Sequence, residues 1–336
     1  MHRNKRWIKV LLFAALLSLG GCFDYHEVED VSVVSGIGVE LVEEELVVHL
    51  ELLAKGRIPS EGEGIKTITT KGKTFKDAIH NVVLQSGKTP YFGHTQVLIV
   101  DESATALLVN VLEDLMVQKE LRFDMQIVVA YNALKPLFEK QEVLRAFDLL
   151  ELVQTNRRWG TSVTMSLLDY QIAKKNALVL PMLTMVEEEP TLKEGALYLH
   201  QDQMQVLDGT TITSYLILTG LFEHAWYEVV LDEDTTIWGE LQRLKPQFIL
   251  EDERILVKGT FLVNELDQQV AQLAQAQLEE QLRQFLTDNQ ALQILDVAQA
   301  FQKTKWLEKP FGKQIPEIEV QIKLEAINQT RRGKDA

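Results

Sequence analysis

Two hydrophobic periods alternate along this chain. Over 46–54 the apolar side chains fall on every second position, with Leu46, Val48, Leu50 and Leu52 on one face. That segment reads as a strand, and it follows a first strand over 31–41 across a turn at 42–45. The period then becomes helical: Phe75, Ala78, Ile79, Val82 and Val83 recur at i, i+3, i+4, i+7 and i+8 within 74–86. Thr74 is placed to cap the first turn of that helix and Gly87 to end it. Gln96-Val97-Leu98-Ile99-Val100 is a short apolar run and reads as a buried strand. A second amphipathic helix over 103–118 aligns Ala104, Leu107, Leu108, Val111, Leu112, Leu115 and Met116. A strand at 125–130, helices at 142–158 and 165–175, and a strand at 178–186 continue the alternation.

Glu187-Glu188-Glu189-Pro190 interrupts the pattern, and a domain boundary is expected there. Residues 195–207 suit a hairpin turning at 201–203. The uniformly apolar stretch 210–222, with Thr and Ser, suits a buried helix or a strand. From about 249 a C-terminal region begins, with Ile255, Val257, Phe261 and Val263 on one strand face around Gly259. Val270, Leu273, Ala274, Leu278, Leu282, Phe285 and Leu286 then mark a long Gln-rich helix, in which Glu279 and Arg283 are spaced for an i, i+4 pair. Residues 317–326 alternate strictly and predict a half-buried strand, expected to be antiparallel. The fold class is therefore α+β, with several mixed or antiparallel sheets flanked by helices. The expected units are 22–190, a small central β/α unit at 191–248, a C-terminal α+β domain at 249–330 and a tail at 331–336.

The first 21 residues have a different character. Arg3, Lys5, Arg6 and Lys9 precede an unbroken apolar run at 10–17, then Ser18-Leu19-Gly20-Gly21-Cys22. A basic start, a short apolar core and a small-residue site are the parts of a secretory signal peptide over 1–21. The run falls short of the ~20 apolar residues that a spanning helix needs. Leu19-Gly20-Gly21-Cys22 also resembles a bacterial lipobox, which implies diacylation of the Cys22 sulfur, cleavage before Cys22 and N-acylation of the new terminus.

Charge then changes the picture. The chain has 34 Lys+Arg against 49 Asp+Glu, a formal net charge of −15. Residues 1–21 hold four cations and no acid, so removing them leaves −19. Such a body is repelled by anionic lipid and by nucleic acid, whose binding needs Lys and Arg to displace counterions. Membrane attachment must then come from acyl chains, of which two hold stably where one does not. Cys22 is the single cysteine, which excludes an intramolecular disulfide and a cysteine-based zinc cluster.

Catalytic chemistry is not visible. The seven histidines are scattered, no His-Glu-x-x-His occurs, and there is neither a nucleophile elbow nor a phosphate-binding loop. Gly36-Ile37-Gly38 lacks a third glycine and marks a bulge or a close backbone approach instead. Asp232-Glu233-Asp234 has Ile237 where a calcium loop needs glycine. The acidic runs at 43–45 and 187–189 read as solvated turns. No catalytic, cofactor or metal residue is assigned, and Cys22 stands as the one candidate site.

Several segments resemble one family. Cys22-Phe23-Asp24 followed by Val33-Val34-Ser35-Gly36-Ile37-Gly38-Val39 looks like the mature start of the Ger(x)C family, with Phe23 where members usually carry Trp. Thr89-Pro90-Tyr91-Phe92-Gly93-His94-Thr95-Gln96, running into the apolar strand, is similar to the family's Phe-Gly-His segment, followed by an apolar helix and an Arg-containing strand at Leu121-Arg122-Phe123. Gly195-Ala196-Leu197-Tyr198 and Leu218-Thr219-Gly220 resemble two further family segments. The resemblance implies an α+β fold of three domains and a non-catalytic, lipid-anchored C subunit of a GerA-type nutrient germinant receptor. It implies a place on the outer face of the spore inner membrane, with integral-membrane A and B subunits as partners and no cofactor. Residues 91–94 read either as an interaction loop or as a tight turn into the strand, and no germinant-binding residue is assigned. A solute-binding lipoprotein would share the lipobox but should show two comparable lobes, whereas the patterns here are uneven.

Overall fold

A strand buried on both faces must be apolar along its whole length, and two such strands fix the centre of the first sheet. They are β5 (Val97–Asp101) and β6 (Gln126–Ala130), which run parallel with Val97 opposite Gln126 and Asp101 opposite Ala130. The structure, a computed structural model, describes residues 31–53, 65–118, 120–131, 134–139, 146–173, 177–187, 189–200, 203–232, 235–249, 254–264, 266–288 and 316–327. Around the central pair, the strand order is β3-β2-β1-β5-β6-β7-β8-β9, formed by β1 (Val31–Val42), β2 (Glu45–Leu53), β3 (Ile65–Gly72), β7 (Leu178–Val186), β8 (Glu189–His200) and β9 (Gln203–Leu207). β1, β5, β6 and β7 are parallel, and each margin is antiparallel. The short β4 (Thr89–Tyr91) pairs in parallel with the first residues of β1.

Helices cover both faces. On one, α1 (Phe75–Ser86), α2 (Leu108–Met116) and α5 (Leu167–Ala173) bury Phe75, Ala78, Leu112, Leu115 and Tyr170 against Leu98, Ile127 and Leu180. On the other, α3 (Leu134–Glu139) and α4 (Ala146–Arg158) bury Phe138, Leu149 and Val153 against Ile99 and Val128. The caps expected for α1 are both present. The Thr74 hydroxyl accepts from the Asp77 amide at 3.1 Å, and Gly87 takes the left-handed conformation at φ 67°.

The sheet does not stop at Pro190. Thr184 and Met185 of β7 face Thr191 and Pro190 of β8, so strand pairing runs on through the expected boundary to Leu207. The interruption read there is the hairpin between β7 and β8, where Glu187 has φ 51°. Leu121-Arg122-Phe123, expected as a strand, is an irregular turn before β6. Arg122 reaches forward to the Asp124 carboxylate, closing the chain locally instead of offering it to a sheet.

The second sheet has four strands in sequence order: β10 (His224–Val230), β11 (Thr236–Ile249), β12 (Arg254–Val263) and β13 (Glu317–Ala326). The first three form an antiparallel meander. β13 departs from expectation: it pairs with β12 in parallel, with Arg254 opposite Glu317 and Val263 opposite Ala326. Strict alternation reports only that one face is wet, and a long helix between two neighbouring strands lets the chain return in the same direction. That helix is α7 (Gln268–Asp288). The apolar stretch at 210–222 is the helix α6 (Gly209–Leu218), capped by Asp208 and buried between the two sheets.

The glutamines of α7 explain its composition. β10 and β13 are the two margins of the second sheet. Gln277 donates its amide to the Val230 carbonyl at 2.7 Å and accepts from the Val230 amide at 3.2 Å, on the β10 side. On the β13 side, the Val320 amide donates to Glu279 at 2.8 Å and the Ile322 amide to Gln275 at 2.9 Å. The helix thus satisfies backbone groups on both margins, which blunts edges that would otherwise recruit another strand. Glu279 is consequently not paired with Arg283, which binds Glu280 at 2.5 Å instead.

Candidate functional site

Cys22, the single site residue expected from the sequence, lies outside the described residues. The structure does place the other segments singled out above, and it brings two of them together. Gln96 donates its amide to the Ser35 carbonyl at 2.8 Å, and the Thr95 hydroxyl donates to the Val34 carbonyl at 3.3 Å. The 33–39 and 89–100 segments are therefore one unit, with β4 and β5 successively pairing along the same side of β1.

Within that unit each unusual residue has a packing task. A bulge falls between Val34 and Gly36, and a side chain on Gly36 would press on Ala146 at 3.2 Å. A side chain on Gly38 would run into the Phe138 ring. Both glycines let α3 and α4 lie directly on β1, the close approach expected of them. The Ser35 hydroxyl donates to the buried Glu51 carboxylate at 2.5 Å, and the Ala146 amide, at the start of α4, donates to the same oxygen at 3.2 Å. A carboxylate there is favoured by the positive end of the helix dipole. Nearby, His49 is buried with its ring stacked on Phe138 at 5.0 Å and its nitrogens 2.9 Å from Thr69 Oγ1 and 3.2 Å from Glu40 Oε1.

Residues 91–94 form a tight entry to β5. Phe92 is buried, the Thr95 amide returns to the Phe92 carbonyl at 3.1 Å, and the Tyr91 and His94 rings approach at 5.9 Å over Gly93. Gly195 has φ 112°, and any side chain there would meet the Leu207 carbonyl. Thr219 and Gly220 end α6, with Gly220 at φ 72° and its amide bonded to the Ile217 carbonyl at 3.0 Å. These motif residues hold backbone in place. Among the described residues, no three His, Cys, Asp or Glu side chains converge as a metal site, and no helix is long and apolar enough to cross a membrane.

One cleft was not anticipated. Where the two sheets meet, Trp159 at the end of α4, Glu194 of β8, Thr213 of α6, and Trp226 and Trp238 of β10 and β11 line a cavity of about 460 Å³. Trp226 and Trp238 are each 56% exposed. In the β10–β11 ladder Trp226 lies opposite Glu240 and Trp238 opposite Glu228, a crossed arrangement of two indoles and two carboxylates on one face. The Trp159 ring lies 4.4 Å from His224, whose Nδ1 is 2.9 Å from Glu240. Arg157 is tied to Glu223, and burial pulls its guanidinium below the ordinary value. In the core shared by β8, α6 and the second sheet, burial pushes the Tyr198 phenol up to about 12 and raises Tyr215 further, with Tyr198 and Asp169 adding to it. The signal for this cleft was present as Trp-x-Glu twice, at 226–228 and 238–240.

Comparison with known proteins accounts for the interlocked segments. The family model for the spore germination protein N-terminal domain matches residues 24–187. Spore germination protein KC of Bacillus subtilis (strain 168) is 24% identical over 165 residues, covering 46% of this chain and 39% of that protein. The chain thus aligns with well under two thirds of that relative. The crystal structure of the GerBC protein is similar over 87% of this chain and 97% of its own, at 13% identity and a TM-score of 0.43. The matched region contains β1, the Phe92 turn and the helices α3 and α4 packed on Gly38 and Gly36, so residues 24–187 of this chain are a spore germination protein N-terminal domain, similar to the Ger(x)C proteins that these segments resemble in sequence.

Proposed function

We propose that this protein is the C subunit of a nutrient germinant receptor, anchored by lipid on Cys22 to the outer face of the spore inner membrane. It contributes binding surface and not catalysis, and it supports assembly or signalling of the integral-membrane A and B subunits. The observation that carries the reading is the family match over 24–187, together with motif side chains that are spent on packing. The −19 body left after residue 21 supports acyl chains, not surface charge, as the means of attachment.

A subunit that acts by binding alone works through complex stability, so its loss should remove its partners' function and leave parallel routes intact. Deleting the gene in a strain without close paralogues should abolish germination on this receptor's own nutrient. Germination by agents that bypass receptors should persist, and the A and B subunits should decline in the inner membrane. An unchanged response across a full nutrient panel would count decisively against the proposal. Cys22→Ala should move the protein out of the detergent-extracted membrane fraction or leave it unprocessed.

A further inference from the structure

We infer that the cleft at the junction of the two sheets binds a small organic cation of the alkylammonium class, gripped between indole faces. The inference stands apart from the receptor reading and needs none of the partners. Three of the chain's five tryptophans line one cavity, and two of them are more than half exposed. Large aromatic surface left in water is unfavourable unless something covers it. At about 460 Å³ the cavity has the size of a small-molecule site.

The charge around the indoles selects the sign of the ligand. Glu194 lines the cleft itself, and Glu240 and Glu228 stand directly across the ladder from Trp226 and Trp238. Side chains opposite one another in an antiparallel ladder are neighbours, so each of these indoles has a carboxylate beside it. Among the described residues, no lysine or arginine lines the cavity. Of the two arginines before Trp159, Arg157 binds Glu223, and Arg158 donates back along α4 to the Gln154 carbonyl. An indole face attracts a cation through its quadrupole, and a carboxylate nearby adds to the field. An anion would meet repulsion from both. A neutral ligand would gain the aromatic contact but not the charge.

The test uses the full chain in an uncharged detergent, titrated with tetramethylammonium chloride and followed by tryptophan fluorescence and calorimetry. Saturable binding is expected. Neopentyl alcohol, of similar shape but neutral, should bind at least about tenfold more weakly, and sodium chloride at equal ionic strength should give no saturable response. Trp226→Ala with Trp238→Ala should weaken calorimetric binding by about tenfold or more, Trp226→Phe alone should retain most of it because a π face remains, and Glu194→Gln should weaken it severalfold. All three positions are exposed or at a cleft wall, so the melting temperature should hardly move, which separates lost binding from lost fold. Equal binding of the neutral isostere, no saturable response to the cation, or undiminished binding in the double variant would each overturn the inference.

Discussion

The two sheets bury their strands differently. In the first, β5 and β6 are covered by helices on both sides, and almost every residue of each is inaccessible. In the second, the described residues pack on one face, against α6 and α7, and the β10–β11 hairpin leaves Trp226, Glu228 and Trp238 exposed on the other, beside the half-buried Glu240. The first sheet is stabilised by its centre, since it has a core above and a core below. The second depends on a single core and on a helix whose glutamines hold both margins. A centre buried on both sides leaves no strand face for a ligand. The one-sided sheet has a face to spare, and the aromatic cleft sits there.

Truncation should separate the two sheets most sharply. Leu98 and Ile99 are both fully buried and belong to different cores, one on each side of β5. Leu98→Ala and Ile99→Ala should each cost about 2–5 kcal/mol. Trp238→Ala, on the open face of β11, should cost less than about 1 kcal/mol. Chemical denaturation of the three variants checks this. A Trp238 cost equal to that of Ile99 would mean that the open face is covered in the folded protein.

Alkali should act on the other side of the comparison. Tyr198, Tyr215 and the partly buried Tyr227 surround the single core that joins β8, α6 and the second sheet. Burial raises all three above the ordinary value of 10, with Tyr198 and Tyr227 reaching about 12. Folded protein therefore holds these protons after the unfolded chain has released them. The stability they confer is intact below pH 10 and falls as pH rises from 10 towards 12, by about 1.4 kcal/mol per pH unit for each tyrosine held neutral. In the first sheet Tyr131 is also raised, by burial and by Glu102. The alkaline midpoint, followed by tyrosinate absorbance and circular dichroism, should move upward in Tyr215→Phe. An unmoved midpoint would show that this core opens for another reason.

The margins offer a smaller effect. Gln277→Ala removes two hydrogen bonds from the β10 margin, and Gln275→Ala removes one from β13. Each should cost about 1 kcal/mol, because water can replace the lost partner at the exposed β10 margin and in part at the half-buried β13 margin. The two costs should add, since the residues share no partner. A rise in self-association of the double variant would mark the uncovered edges. Costs near zero would mean that the latches follow from the fold without supporting it.

Legibility followed the same division. Strands buried on both faces and amphipathic helices announce themselves, so β5, β6, β7, α1, α2 and α7 were readable from apolar runs and 3.6-residue stripes. β3 was not, because its Thr-rich segment is a margin strand with only Ile68, Thr70 and Gly72 buried. β10 and β11 were missed because Ala225 and Gly239 stand on the covered face and Trp226 and Trp238 on the open one, reversing the usual contrast. The direction of β13 is not encoded in its own residues but in the helix before it. The family motifs were visible as residues, while their contact across β1 was not. The cleft could not be assembled from sequence, since its walls come from positions 159, 194, 213, 226 and 238.

The last prediction concerns the turn that closes the first sheet, where the expected effect is smallest and its sign reversed. β1 and β2 are joined through two residues only, since Val42 pairs with Glu45. Glu43 and Glu44 have φ 50° and 67°, so both central positions are left-handed, as in a type I′ turn. That turn suits the twist of the strands but favours Asn-Gly, because an L side chain in this region crowds its own backbone. Three consecutive glutamates also repel one another there. Replacing Glu43-Glu44 by Asn-Gly should relieve both, and the extra freedom glycine brings to the unfolded chain offsets part of the gain. A net stabilisation of about 1 kcal/mol is expected, read as a rise of about 2–3 °C in Tm. The gain should persist in high salt, where charge repulsion is screened and backbone strain is not. If the rise vanishes in salt, repulsion and not φ was the burden. If the variant is less stable at any salt, the glutamates support the hairpin, and a solvated acidic turn is the wrong description of it.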